Sequence, residues 1–153
     1  MNNDKEIFTS IRRAAMNALA RREHTRYELE QKLIPRFPEH KSLVAHVLEQ
    51  LSDDGLQSDQ RFVESFIRWR SNRGYGPVRI AIEMGQKGID DVYADEMLAN
   101  ADIDWLLLLQ QQYRKKFGET VPQSLAEKAK VQRFLQYKGF SHTDINCLFK
   151  TLT

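Results

Sequence analysis

The chain has a single cysteine, Cys147, so no disulfide can form within it. Its neighbours Ile145, Leu148 and Phe149 suggest a small buried hydrophobe rather than a reactive thiol. Turn formers are scarce: seven glycines and four prolines make 11 of 153 residues, which argues against a β-sandwich and against a disordered tail. Long apolar runs are missing too. The longest, Trp105 to Leu109, is far short of the roughly 20 residues a membrane-spanning helix needs, and the opening MNNDKEIF lacks a signal-peptide core. A soluble, cytoplasmic protein with no membrane contact is expected.

Catalytic and metal-binding patterns are equally sparse. The histidines at 24, 40, 46 and 142 form neither an HExxH helix nor a paired Cys/His set. The acids Asp90, Asp91, Asp95, Glu96, Asp102 and Asp104 lack the spacing and glycine of a calcium loop. Gly74-x-Gly76 follows no strand and has no third glycine in place for a dinucleotide fingerprint. No Ser, His and Asp arrangement stands out. The expectation is a protein without metal or cofactor, and not an enzyme.

What the chain does have is charge. Charged residues make up 29% and mean hydropathy is −0.58, a composition of amphipathic helices and an all-α fold. A chain of 153 residues can form one domain and bury roughly 70% of its unfolded surface. The net charge of +2 conceals stripes. Residues 58–88 carry six bases against three acids, and 110–138 carry seven against two. Residues 89–104 carry six acids and no base, and 37–57 carry four acids and one base.

Periodicity places the helices. Ile7, Phe8, Ile11, Ala15, Ala18 and Leu19 mark a first amphipathic helix over 7–22. Thr25 with Glu28 is a capping-box pattern for a short second helix stopped at Pro35. Pro38 suits the first turn of a third, which carries Leu43, Val44, Val47, Leu48 and Leu51 and ends at Gly55. The plan then repeats. Ser58 caps a helix whose Phe62, Phe66, Trp69 and Arg73 share a stripe, with Val63 and Ile67 on its flank. Gly76 and Pro77 open the next helix, ended by Gly88, and an acidic one follows with Val92, Tyr93, Met97 and Leu98. In the last pass Ile103, Leu106, Leu109, Tyr113 and Phe117 form one face. Ser124 with Glu127 is a second capping box, Val131, Phe134 and Leu135 face inward, Gly139 stops the helix and Ser141 caps the last one.

An offset of 51 residues superposes Gly88 on Gly139, Arg79 on Lys130, Lys87 on Lys138 and Ile89 on Phe140, and Thr25, Leu29 and Leu33 on Gly76, Ile80 and Met84. A fixed period with matched apolar positions signals tandem units that bury faces against one another. Three tandem three-helix repeats are read at 7–55, 58–101 and 102–153, the third with eight residues inserted between its first two helices. Together they are expected to make an elongated, gently curved helical-repeat protein.

The pattern of Arg61-Phe62, the turn Gly74 to Pro77, Arg79-Ile80, Glu83 and Lys87-Gly88-Ile89, recurring in KAKVQRFLQYKGF from Lys128 to Phe140, resembles the RecX family of regulators of the recombinase RecA. Met84 departs from the usual leucine, Gly85 weakens mid-helix propensity by up to about 1 kcal/mol and Gln57 replaces a common acid, but no basic position is touched. The resemblance implies a three-repeat helical protein that binds the RecA filament and restrains recombination, ATP hydrolysis and coprotease activity. A monomer with possible direct contact to single- or double-stranded DNA fits that picture. Coating of single-stranded DNA is the alternative function.

The residues expected to meet the filament or its DNA are Arg61, Arg68, Arg70, Tyr75, Arg79, Lys87, Arg114, Lys115, Lys116, Lys130, Arg133 and Lys138. Guanidinium groups grip phosphates or carboxylates through paired hydrogen bonds, and bases beside aromatics suit a phosphate backbone. Internal pairing with acidic helices is the competing role for each arginine. Tyr75 either stacks on a partner or lies over a helix junction, and Arg73, on the apolar stripe, suggests a structural part. Phe62, Phe66 and Trp69 are read as core.

Overall fold

In the computed structural model, residues 2–152 are described; Met1 and Thr153, the last position of the third expected repeat, lie outside them. The described residues form nine helices and no strand. They are α1 (Asn2–Arg21), α2 (Arg26–Leu33), α3 (Lys41–Asp53), α4 (Asp59–Asn72), α5 (Pro77–Gln86), α6 (Asp91–Asn100), α7 (Trp105–Phe117), α8 (Leu125–Lys138) and α9 (His142–Leu152). The described residues fold into two compact units, one of those up to 65 with 86–90, the other of 66–85 with those from 91 onward.

The first unit is built on α1 to α3. Ile11, Ala15, Leu29, Leu33, Val44, Val47, Leu48 and Leu51 make its core, all at the helical spacings that read as apolar stripes. Thr25 forms the capping box with Glu28. Two boundaries differ from the pattern. Helix α1 starts at Asn2 rather than Ile7, because Asp4, Lys5 and Glu6 are compatible with a helix and Asp4 suits its N-terminal dipole. The apolar stripe marks only the part of a helix that is buried. Pro38 is outside α3. After Leu33 the chain makes successive turns, with the Phe37 amide donating to the Leu33 carbonyl at 3.0 Å, and α3 starts only at Lys41.

In the second unit Leu109, Tyr113, Val131, Leu135, Phe140, Ile145 and Leu148 form a core of α7 to α9. Four expectations fail here. Trp69 is 51% exposed, and Val92, Leu106 and Cys147 also face solvent. Trp69 lies at the margin of a buried stripe and Leu106 in the first turn of α7, whereas Val92 and Cys147 lie on the far side of α6 and α9 from the buried Ala94 and Leu98 and the buried Ile145 and Leu148. On α4 the buried apolar residues are Phe62, Val63, Phe66 and Ile67, so the buried apolar arc is centred between Val63 and Phe66. At 100° per residue Trp69 falls about 90° from that centre, whereas Arg70 falls almost on it. On α9, Ile145 and Leu148 are buried and Cys147 turns away. The Ser124 box is only half formed: Ser124 Oγ accepts from the Glu127 amide at 3.1 Å, but the Glu127 carboxylate takes the Gln123 amide instead. Ser141 caps α9 as its sequence suggests, accepting from the Asp144 amide at 3.1 Å.

Gly139 ends α8 at φ 103°, in the left-handed region, and a Cβ there would stand 2.3 Å from Arg79 Cβ. Gly85 is different, helical in backbone with no neighbour closer than 3.8 Å to an added Cβ. Gly139→Ala is expected to destabilise by about 3 kcal/mol or more, whereas Gly85→Ala should stabilise by up to about 1 kcal/mol. Urea denaturation of the two variants beside the parent reads both signs.

Candidate partner-binding surface

Two helix junctions, one in each unit, position the basic residues. In the first, Thr25 is fully buried at the start of α2. Its Oγ1 accepts from the Glu28 amide at 3.0 Å and donates to the Lys87 carbonyl at 2.7 Å. Glu28 accepts from the Thr25 amide at 3.1 Å, takes Arg22 at 2.9 Å and pairs with Lys87 Nζ at 3.3 Å. Burial by itself would raise the Glu28 carboxyl. The hydrogen bonds from Arg22 and Thr25 and the charges of Arg22 and Lys87 outweigh it and hold the group at about 2.

The second junction, 51 residues on, joins the corresponding helix ends through backbone amides and changes the charge. The Gly76 amide donates to the Lys138 carbonyl at 2.8 Å and the Val78 amide to Gly139 at 2.9 Å. Gly76 stands where Thr25 stood, and a Cβ on it would meet the Gly139 carbonyl oxygen at 2.5 Å. Arg79 stands where Glu28 stood. Among the described residues no carboxylate therefore pairs with Lys138. Its Nζ lies 4.3 Å from the centre of the Tyr75 ring, which also meets the guanidinium groups of Arg70 at 4.0 Å and Arg79 at 4.3 Å. Three cations share one ring, an arrangement in which the ring's negative faces offset part of their mutual repulsion.

Glu83 supplies the carboxylate of this cluster. It accepts two hydrogen bonds from Arg70, at 2.8 and 2.7 Å, and one from Arg79 at 3.4 Å. The Arg70 side chain is only 13% exposed, so the core-facing position on α4 is filled by an arginine neutralised in place. Arg79 also donates to the Tyr137 carbonyl at 3.1 Å and lies over the Tyr137 ring at 4.9 Å. The Tyr137 bond, against some desolvation, and then Glu83 hold Arg79 above its ordinary pKa. Arg70 and Arg73 both stack on the exposed Trp69.

The twelve expected residues thus divide. Arg70, Tyr75, Arg79 and Lys138 come together. Arg61 pairs with Glu23 at 3.0 Å, and Lys87 pairs with Glu28. Arg68, Arg114, Lys115, Lys116, Lys130 and Arg133 are exposed. Lys116 lies over Phe134 at 5.6 Å, and Lys130 lines a pocket of about 490 Å³ with Tyr113, Phe117 and Val131. Glu83, Trp69 and Tyr137 complete the cluster, and Glu83 and Trp69 were not among the expected contacts. The i, i+4 spacing of Arg79 and Glu83 was the available signal for the first; nothing in the sequence brings Arg70 to the same carboxylate. Among the described residues no set of three or more His, Cys, Asp or Glu is grouped to hold a metal ion, and no helix is long and apolar enough to cross a membrane.

Family models for the second and third three-helix domains of RecX match residues 58–98 and 102–149, which together exceed half of the chain. The chain belongs to the RecX family. Regulatory protein RecX of Pseudomonas entomophila is 45% identical over 132 residues, covering 86% of this chain and 84% of that protein. Regulatory protein RecX of Halorhodospira halophila is likewise 45% identical over 132 residues, 86% of this chain and 81% of that one. The crystal structure of RecX from Lactobacillus salivarius superposes with a TM-score of 0.80 at 25% identity, covering 99% of this chain and 98% of that chain. The three-helix repeats of this RecX-family chain are thus seen in sequence and in fold.

The first junction has a pH signature. A glutamate of ordinary pKa 4.5 is held near 2 in the fold, so Glu28 adds stability above about pH 4.5 and that contribution is lost as pH falls from there to about 2. Glu28→Gln should cost about 1–2 kcal/mol at neutral pH and flatten this acid limb. Thermal melts between pH 7 and pH 2.5 measure the difference.

Proposed function

We propose that this RecX-family chain is a non-enzymatic regulator that binds the RecA–DNA filament and restrains its ATP hydrolysis, strand exchange and coprotease activity, acting in the cytoplasm as a monomer. The names of its relatives support a regulatory role. The observation that carries the reading is the junction at Tyr75, where the lysine that a glutamate pairs in the first copy of the helix contact has no carboxylate partner among the described residues and three cations gather on one ring. With Arg79 in the place of Glu28 the helix ends still meet, now through backbone amides, and Arg79 and Lys138 gather with Arg70 on the Tyr75 ring.

In this reading the repeats span 7–55, 58–101 and 102–153, and the basic residues serve two purposes. Arg61, Arg70 and Lys87 brace the fold through Glu23, Glu83 and Glu28. Arg68, Arg79, Arg114, Lys115, Lys116, Lys130, Arg133 and Lys138, with Tyr75, meet the filament or its single- or double-stranded DNA. Exposed charges shape encounter and specificity more than affinity, each contributing modestly.

Adding the protein to RecA on single-stranded DNA should lower steady-state ATP hydrolysis in proportion to occupancy; no change at saturation removes the proposal. If DNA coating dominates instead, affinity for the bare strand should equal that for the filament and fall steeply with salt. The double variant Arg68→Glu with Arg133→Glu should shift the half-inhibitory concentration roughly tenfold upward at unchanged helicity. Circular dichroism and the ATPase titration together check it.

A further inference from the structure

An apolar groove runs between α5 and α6, within the second unit, away from the basic cluster in character. Its volume is about 610 Å³, and Val78, Ile82, Leu98 and Trp105 supply its apolar lining. Val78 and Ile82 share a face of α5 at i, i+4 and are 45% and 60% exposed. Leu98 is buried, and the Trp105 indole lines the groove with its Nε1 donating to the Leu98 carbonyl at 3.4 Å. Asp91 and Asp95, one turn apart on α6, form the rim. Among the described residues neither makes an ion pair. The surrounding stretch 89–104 has six acids and no base.

A groove of this make-up selects its occupant. Leaving two branched aliphatics in water beside two uncompensated carboxylates is unfavourable both for apolar hydration and for like-charge repulsion. A phosphate backbone would be repelled by the rim, so the occupant is polypeptide rather than nucleic acid. We propose that this groove docks a segment of the filament's protein component that presents aliphatic side chains flanked by lysine or arginine. The aliphatics fill the space over Leu98 between Ile82 and Trp105, and the bases reach Asp91 and Asp95. From Asp91 to Ala99 the α6 wall is about 12 Å long at 1.5 Å per residue, room for about two helical turns of a partner. The inference rests on the filament-binding reading above and adds which surface meets protein.

Equilibrium binding of the full chain to RecA filaments on a labelled oligonucleotide, and to the bare oligonucleotide, tests it with Ile82→Lys and Asp95→Lys. Both positions are exposed, so helicity should be unchanged. Each variant should lose roughly tenfold in filament affinity with no loss for the bare strand. Ile82→Ala, a milder change, should lose about threefold and guards against an unfolded lysine variant. Wild-type binding with undiminished variants overturns the groove and leaves the filament reading standing. A wild type that fails to bind the filament removes both. A wild-type dimer in ultracentrifugation, split by Ile82→Lys, would assign the groove to a second copy and overturn the proposal.

Discussion

The structure depends on a contact between the start of one helix and the end of another 62 residues further along the chain, made twice at an offset of 51. At the head of α2 a side-chain hydroxyl donates to the Lys87 carbonyl, and at the head of α5 a backbone amide donates to the Lys138 carbonyl. In both, the partially positive N-terminus of one helix meets the partially negative C-terminus of another, and orphan groups of each are satisfied together. The contact demands close approach. That is why a left-handed glycine follows the lysine both times, at Gly88 and Gly139, with a neighbouring Cβ pressed against each.

On that shared frame, charge is free to differ. In the first unit Glu28 pairs with Lys87 and with Arg22. In the second Arg79 takes the equivalent place, and Tyr75, Glu83 and the Tyr137 carbonyl absorb what a single acid had done. One carboxylate cannot neutralise Arg70, Arg79 and Lys138, so the second junction presents net positive charge while remaining folded. The groove of α5 and α6 has the opposite character, aliphatic and acid-rimmed. Two surfaces of contrasting chemistry are suited to an assembly that contains both protein and nucleic acid.

Much of this was legible in the residues. Capping at Thr25, Ser58 and Ser141 and the glycine stops at 55, 88 and 139 are local effects, set by hydrogen bonds within a few residues or by backbone sterics. The repeat offset was visible because each unit needs the same buried positions. What failed was the assignment of apolar residues away from the centre of a buried face. Trp69, Val92, Leu106 and Cys147 are apolar in type and near buried residues in sequence, but burial depends on the angular centre of the contact. That centre is set by the packed neighbour.

The sequence by itself determined the helices, their repeat, the family and the segregation of charge, since each follows from periodicity and composition along the chain. Tertiary structure alone decided which charges are spent inside the fold. Arg61, Arg70 and Lys87 look no different in sequence from Arg68 and Arg133, yet the first three face carboxylates and the last two face water. The physical reason is that an ion pair needs a few ångströms of separation, and residues as far apart as Glu28 and Lys87 acquire it only when helix ends are brought together.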